Sequence, residues 1–568
     1  MTHDLVIRGG IVVDGTGADA RTADIAIDDG IVTDVDARGE NARRVIDADG
    51  LLVTPGFVDI HCHYDGQATW DTRMIPSSWH GVTTVVVGNC GVGFAPVKPS
   101  DHERLIQLME GVEDIPGTVL HEGLEWTWQS FPEFLDALDG RPFDIDVALQ
   151  VPHGALRLNV MGERGARREP ATPDDIAHMA TLAAEGIEAG ALGFTTSRTM
   201  NHRTSTGEFT PTLTAEADEL IGIAQAIGRT GRGVLQAVSD FADVDAEFAL
   251  FRRMAETSGR PMSFSLAQTP SDSWRRQLEL LTEANDDGVV MSAQAAPRPV
   301  GLLFGLQCSI HPLLTNPVYR EIADRPLHDQ VVAIGDPAFR KRLLAENKGG
   351  RFIQNFDRMF ELGDPPNYEP EMSTSIARRA EREGREPLDL ACDLLTAAAG
   401  RGLLYVPFLN YNDGNLDAVG EMLAHPNTVV GLADGGAHVG TICDASFPTT
   451  LLTLWGRDRA HGRLPLPYLV QRHTSATART VGLFDRGVLA PGYRADVNVI
   501  YIERLTAHRP EIRIDLPAGG KRFVQTASGY VATIAKGEVT YEHGEATDAL
   551  PGRLVRGGQA APTTGAIA

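Results

Sequence analysis

Pro55-Gly56-Phe57-Val58-Asp59-Ile60-His61-Cys62-His63-Tyr64-Asp65 begins at a turn, runs through a short apolar strand and ends on two histidines two residues apart. Side chains alternate across a strand, so Asp59, His61, His63 and Asp65 share one face while Cys62 takes the other. Two imidazoles so placed form half of a metal site, and the C-terminal end of a barrel strand is where barrel active sites lie. The same pair also reads as two core or surface histidines, so its meaning depends on the rest of the chain.

Outward from this stretch, apolar strands alternate with helical runs, the βαβ pattern of a parallel sheet. The strands fall at 57–62, 82–89, 145–151, 191–196, 234–239, 261–266, 289–294 and 428–433. Thr172-Pro173-Asp174-Asp175 predicts a helix start, with an N-cap, a proline in the first turn and acidic residues beside it; Gly190 suits its end. Eight strand–helix units predict an α/β fold, a (β/α)8 barrel of the TIM type. The interval 295–427 must then hold an inserted helical subdomain, including an amphipathic run near 387–398.

Both ends of the chain are rich in short strands: Leu5–Ile7, Gly10–Val13, Ile25–Ile27 and Val45–Asp47 at the start, then Ala495–Ile500, Arg522–Val524, Tyr530–Ile534 and Gly537–Thr540. The two sets are expected to form one small β-sandwich. The resulting division is 1–54 and 488–556 for the sandwich, 55–487 for the barrel with its insertion at about 300–425, and 557–568 for a loose tail rich in Gly, Ala, Pro and Thr.

The 568 residues carry 51 Lys+Arg against 76 Asp+Glu, a net charge of −25. That balance, without a basic block, argues against nucleic acid. No apolar run approaches the roughly 20 residues of a membrane span. The start reads as a strand and not as a signal peptide. Five cysteines in so long a chain do not make a disulfide framework. These features fit a cytoplasmic enzyme with a small-molecule substrate; the C-terminal arm is compatible with a homo-oligomer.

Two more strand ends carry chemistry. Thr83–Asn89 leads into Cys90 and Gly91; a thiolate there suits a zinc ion, although a buried structural thiol is the plainer reading. Thr428–Ala433 ends in Asp434, followed by Gly435-Gly436-Ala437-His438. A carboxylate on the eighth strand faces the first across a closed barrel, where it could bind metal and take a proton from water, or simply shape a turn.

Together Val53–His63, Gly88-Asn89-Cys90-Gly91, Trp126-Thr127-Trp128, His153-Gly154-Ala155-Leu156-Arg157, Gly193–Thr196, Asp434 with His438, Gly487–Asp496 and Ala549–Arg553 resemble the amidohydrolase superfamily. Within it, Gly88-Asn89-Cys90-Gly91 resembles the metal-bridging cysteine motif of the N-acyl-D-amino-acid deacylase branch. The resemblance covers residues 4 to 556 and implies a metal-bearing barrel with a small sandwich that hydrolyses an amide bond. It implies His61, His63, Cys90 and Asp434 as metal ligands, with Asp434 also the general acid/base.

The chain departs from that branch where its fifth and sixth strands carry ligand histidines. Val238 and Leu266 align there, and Gln268 stands near the position of a lysine that binds the substrate carboxylate. The expectation is therefore one divalent ion per chain, zinc in identity, with Asp240 the single alternative ligand for a second. His153, Arg157, Arg198, His202 and His438 are the candidate substrate-binding residues, and Arg198 or Arg203 would read a carboxylate. The expected reaction is hydrolysis of an N-acyl amino acid or related acylated amine. Cyclic or non-amino-acid amides are the alternative substrates, and a catalytically inactive binding protein is the alternative of another class.

Overall fold

The computed structural model describes residues 2–37, 41–350 and 352–563. Its centre is a curled, all-parallel sheet of eight strands: β1 Phe57–Asp59, β2 Val82–Val87, β3 Asp146–Pro152, β4 Gly193–Arg198, β5 Val234–Ser239, β6 Met262–Leu266, β7 Met291–Ala295 and β8 Thr428–Val430. Their spatial order equals their chain order, as right-handed βαβ crossovers require. β1 is shorter than its sequence pattern. Beyond Asp59 the chain leaves the ladder, and the sheet closes at the rim. There Asp434 N donates to the His61 carbonyl at 3.0 Å, and His63 N donates to the Gly435 carbonyl at 2.7 Å. The barrel seam and the first histidine pair are thus the same few residues.

The expected connecting helix is present as α1, Pro173–Ala189, with Thr172 and Asp175 in a reciprocal capping box and Gly190 just past its end at φ 121°. A cap of this kind stabilises by about 1 kcal/mol. The outer faces of the strands pack on these helices; Phe264 of β6, for example, meets the rings of Phe241 and Phe248 at 5.4 and 5.7 Å.

Both termini build one nine-stranded sheet, joined where Leu52–Pro55 runs antiparallel to Val497–Ile500. Leu5–Ile7 and Gly10–Val12 belong to one bulged strand, Thr2–Val12, which stops before Val13; Gly9 takes φ 72° at the bulge. The N-terminal unit is mixed and not purely antiparallel, since Asn41–Asp47 lies parallel to that strand. Arg522–Val524 does not join the sandwich: Gly520–Val524 pairs with Glu511–Leu516 as a separate ribbon, and Phe523 N donates to the Val439 carbonyl at 2.7 Å. Part of the tail is engaged, because Gln559 exchanges backbone hydrogen bonds with Gly482 and Phe484; residues 564–568 lie outside the described residues.

The insertion between β7 and β8 holds helices and also a three-stranded antiparallel sheet of Val300–Phe304, Leu404–Leu409 and Phe360–Glu361. It has its own core, including Phe304, Ile334, Leu343 and Leu395. The amphipathic run is the helix Pro387–Gly400. Among the described residues no helix is long and apolar enough to cross a membrane.

Candidate metal centre

His61 and His63 leave β1 at the C-terminal rim, Cys90 follows β2 and Asp434 follows β8. The four side chains converge. His61 Nε2 lies 3.4 Å from the Cys90 sulfur and 3.5 Å from Asp434 Oδ1. His63 Nε2 lies 3.6 Å from the same oxygen. The backbone is bent to achieve this: Cys90 takes φ 54°, Leu432 62° and Asp434 48°, each costing on the order of 1–3 kcal/mol for a non-glycine residue. Gly88, at φ 83°, lies so close to the Gln150 carbonyl that a Cβ would meet it at 2.2 Å. Asn89 completes the turn by donating to the Cys62 and Val86 carbonyls at 3.0 and 2.8 Å while accepting from Gln150 at 3.0 Å. Glycine at 88 is therefore what lets the loop aim Cys90 at His61.

Burial lowers the affinity of both His61 and His63 for protons, which favours the neutral imidazoles that coordinate cations. Burial raises the Cys90 thiol well above its ordinary range, and Glu113, Asp434 and Asp65 raise it further. Burial also acts to raise Asp434, but the His63 imidazole beside it, with His61 and His438, outweighs that and holds the carboxyl well below the usual range.

Both ring nitrogens of His63, Asp434 Oδ1 and Glu113 Oε1 are buried without a hydrogen-bond partner. Buried polar groups are nearly always satisfied, so a cluster of lone-pair donors left open calls for an occupant. Two imidazoles, a thiol and a carboxylate suit a borderline-soft divalent cation such as zinc. The residues fit such an ion, which would also deprotonate the thiol if Cys90 ligates it.

His438 joins the cluster, with Nε2 3.6 Å from Glu113 Oε2 and 4.0 Å from Asp434 Oδ2. His202 stands within electrostatic reach of His438, His63 and His61; burial first, then these neighbours, push it down to about 3. Its Nδ1 is 2.8 Å from Ser197 Oγ on β4.

The other predicted substrate-binding residues are committed elsewhere. His153 and Arg157 share Glu219, at 2.8 Å to Oε1 and 2.6 Å to Oε2, in a fully buried triad. Arg198 donates to Glu247 through Nε at 2.5 Å and NH2 at 3.3 Å, and to the Ala215 carbonyl through NH1. Its fork is filled and cannot also grip a substrate carboxylate. Arg203 stacks over Phe209 at 3.8 Å and donates to the Gly207 carbonyl. Gln268 is tied to the insertion by hydrogen bonds with Asn410, Asn412 and Asp413. Asp240 accepts from Thr199 and from the Met200 amide, so it holds a loop.

One strand position also needs correction. Leu266 shares the face of outward-packing Phe264, while Ser265 sits opposite Gln294 in the β6–β7 register. Period-two geometry therefore puts Ser265, not Leu266, on the inner face. Val238 lies two residues from Gln236, which faces inward across from Ser263, so it keeps the inner position.

Two members of the site escaped the sequence. Gln294, in mid-strand on β7, accepts from His61 Nδ1 at 2.9 Å. Glu113 ends the helix His102–Glu113, here α2, and its side chain is buried. A signal for it existed: Glu113-Asp114 puts two acidic residues at a helix C-terminus, where the helix dipole disfavours them.

A barrel with metal-donor side chains at its C-terminal rim and a β-sheet built from both termini defines the class as a barrel hydrolase. The chain belongs to the amidohydrolase family, which it matches over residues 44–541. It is 27% identical to a D-aminoacylase of Alcaligenes xylosoxydans xylosoxydans over 87% of each chain. It is also 27% identical to an uncharacterized protein of Mycobacterium tuberculosis, covering 96% of this chain and 93% of that one. A solved D-aminoacylase structure superposes with a TM-score of 0.65 at 24% identity, covering 98% of this chain and all of the other. An N-acyl-D-glutamate deacylase of Bordetella bronchiseptica, solved with zinc and a phosphonate inhibitor, gives 0.63 at the same identity and coverage. At that identity these two structures establish the fold.

Proposed function

We propose that this protein is a metal-dependent hydrolase that cleaves the amide C–N bond of an N-acyl amino acid or related acylated amine. The observation that carries the reading is the convergence of His61, His63, Cys90 and Asp434 around buried, unpartnered lone pairs. The named relatives, a D-aminoacylase and N-acyl-D-aspartate and N-acyl-D-glutamate deacylases, support this reaction type.

When bound, a divalent cation supplies Lewis acidity toward the amide carbonyl and brings the ionisation of water toward neutral pH. Zinc is the expected ion, one per chain. His61 and His63 would hold it with Asp434, and Cys90 is the candidate fourth donor. Asp434, ionised at neutral pH, takes the proton of the attacking water and returns it to the leaving nitrogen. His438, beside Asp434 Oδ2, keeps the carboxylate oriented.

A specific observation favours a second reading of the substrate. Arg198 is spent on Glu247 and Arg157 on Glu219, while Gln268 stands near the expected lysine. That pattern favours an amide whose amine half bears no free carboxylate. Assaying amine release from N-acetyl D- and L-amino acids beside the matching N-acetyl amines and amino-acid amides tests both readings. Turnover of amino acids and not of amines would leave the first standing; no turnover by the metal-loaded chain would point to the inactive alternative.

A further inference from the structure

We propose that Glu113 is a positioning residue of this centre, fixing His63 as an Nε2 donor and holding His438 beside Asp434. The inference rests on the metal-site reading above and extends it to a residue outside the four expected ligands. Glu113 is 1% exposed, yet its carboxylate has an imidazole on either side. Oε1 lies 3.3 Å from His63 Nδ1, and Oε2 lies 3.6 Å from His438 Nε2.

The first contact is close but not aligned as a hydrogen bond, and neither atom has another partner. The companion ligand shows the finished arrangement: His61 Nδ1 meets Gln294 Oε1 at 2.9 Å, and its Nε2 is turned to Asp434 and Cys90. With Glu113 opposite Nδ1 of His63, both histidines present Nε2 to the same space. A group held on the far nitrogen fixes the tautomer and makes the ligand more basic.

The placement of Glu113 is itself costly, since a carboxylate is buried at the end of a helix whose dipole repels it. Local structure nevertheless secures it. The His438 amide donates to the Glu113 carbonyl. The next residue, Asp114, accepts from the Gly440 amide at 3.2 Å, from Thr441 Oγ1 at 3.0 Å and from Ser309 Oγ. The end of α2 is thereby locked to the loop that carries His438 and to the insertion, which sets the spacing between Glu113 and both imidazoles.

The test is metal affinity of the full chain, read by chelator competition with Zn2+ and by the visible spectrum of the Co2+ form. E113L keeps a similar side-chain volume and removes the acceptor, which a glutamine would still offer, as Gln294 does to His61. We expect it to weaken metal binding by about 10–100-fold and to alter the Co2+ spectrum, while the Tm of the metal-free chain stays level or rises. A purely structural carboxylate would lower the metal-free Tm and leave affinity unchanged. Should E113L fail to fold, E113D, which retracts the carboxylate, is expected to weaken binding in the same direction. Wild-type affinity in the folded variant overturns the role of Glu113 alone. A wild-type chain that binds neither ion overturns the metal reading and Glu113 with it.

Discussion

Gln294 Oε1 accepts from His61 Nδ1 at 2.9 Å while the same amide donates through Nε2 to Ser263 Oγ at 3.1 Å. His61 therefore carries its proton on Nδ1, and Nε2 offers a lone pair to the cluster. Gln294→Leu should leave the barrel folded but reduce metal affinity by about 10-fold or more. Isothermal titration with zinc checks this; unchanged affinity would show that the Gln294 contact does not tune the ligand.

Asp434→Asn should cut kcat by about 10²–10⁴-fold, the range for loss of a positioned general base, with an unchanged circular dichroism spectrum. The pair to measure is kcat and metal content on the same preparation. Near-normal turnover with full metal would remove Asp434 from its role as base.

Arg157 and Glu219 are each 1% exposed and 2.6 Å apart. Replacing Arg157 with Met leaves a buried carboxylate with only His153 beside it, which should cost about 3–5 kcal/mol. Urea unfolding reads this directly. By contrast, Arg198→Ala should lower activity equally on paired substrates with and without a carboxylate. A selective loss on the carboxylate-bearing member would mean that Arg198 leaves Glu247 to bind substrate.

Stability should fall on mild acidification. Burial lowers His80 and His311 to about 4 and His473 to about 3. Their folded values lie below the unfolded value near 6.5, so the folded chain binds fewer protons in between. The stability they contribute is present above about pH 6.5 and is lost as pH falls toward the folded values. Each group steepens the decline by up to about 1.4 kcal/mol per pH unit. His473 is the clearest probe, because neither ring nitrogen has a hydrogen-bond partner and the ring stacks on Phe57 at 5.5 Å. His473→Leu should gain stability relative to wild type at pH 5.5 more than at pH 7.5. An identical difference at both pH values would exclude His473 as a source of the acid sensitivity.

Metal analysis of the purified chain should return one equivalent per chain. Val238 offers no donor, and Asp240 is held by Thr199 and the Met200 amide. Two equivalents at full occupancy would require ligands that this arrangement does not supply.

What the sequence determined by itself is what local periodicity encodes. All eight barrel strands were legible from short, largely apolar runs alternating with helical stretches, and the α1 cap at Thr172 from four consecutive residues. The His61–His63 pair was visible for the same reason, as two donors one strand-period apart. The seam was not visible, because which carbonyl accepts from Asp434 N depends on closing a sheet across more than 370 residues. Gln294 was also beyond reach, and Glu113 showed only as an acid misplaced at a helix end: both become ligand holders only when packing brings imidazoles to them. Arg198 shows the converse. It closes β4 where the sequence reading put it in the following loop, and its freedom was decided by Glu247, 49 residues further along the chain. Chain-local forces choose strands and helices. Only closure of the barrel, which pairs charges distant in sequence inside one low-dielectric space, decides which of those charges remain free for chemistry.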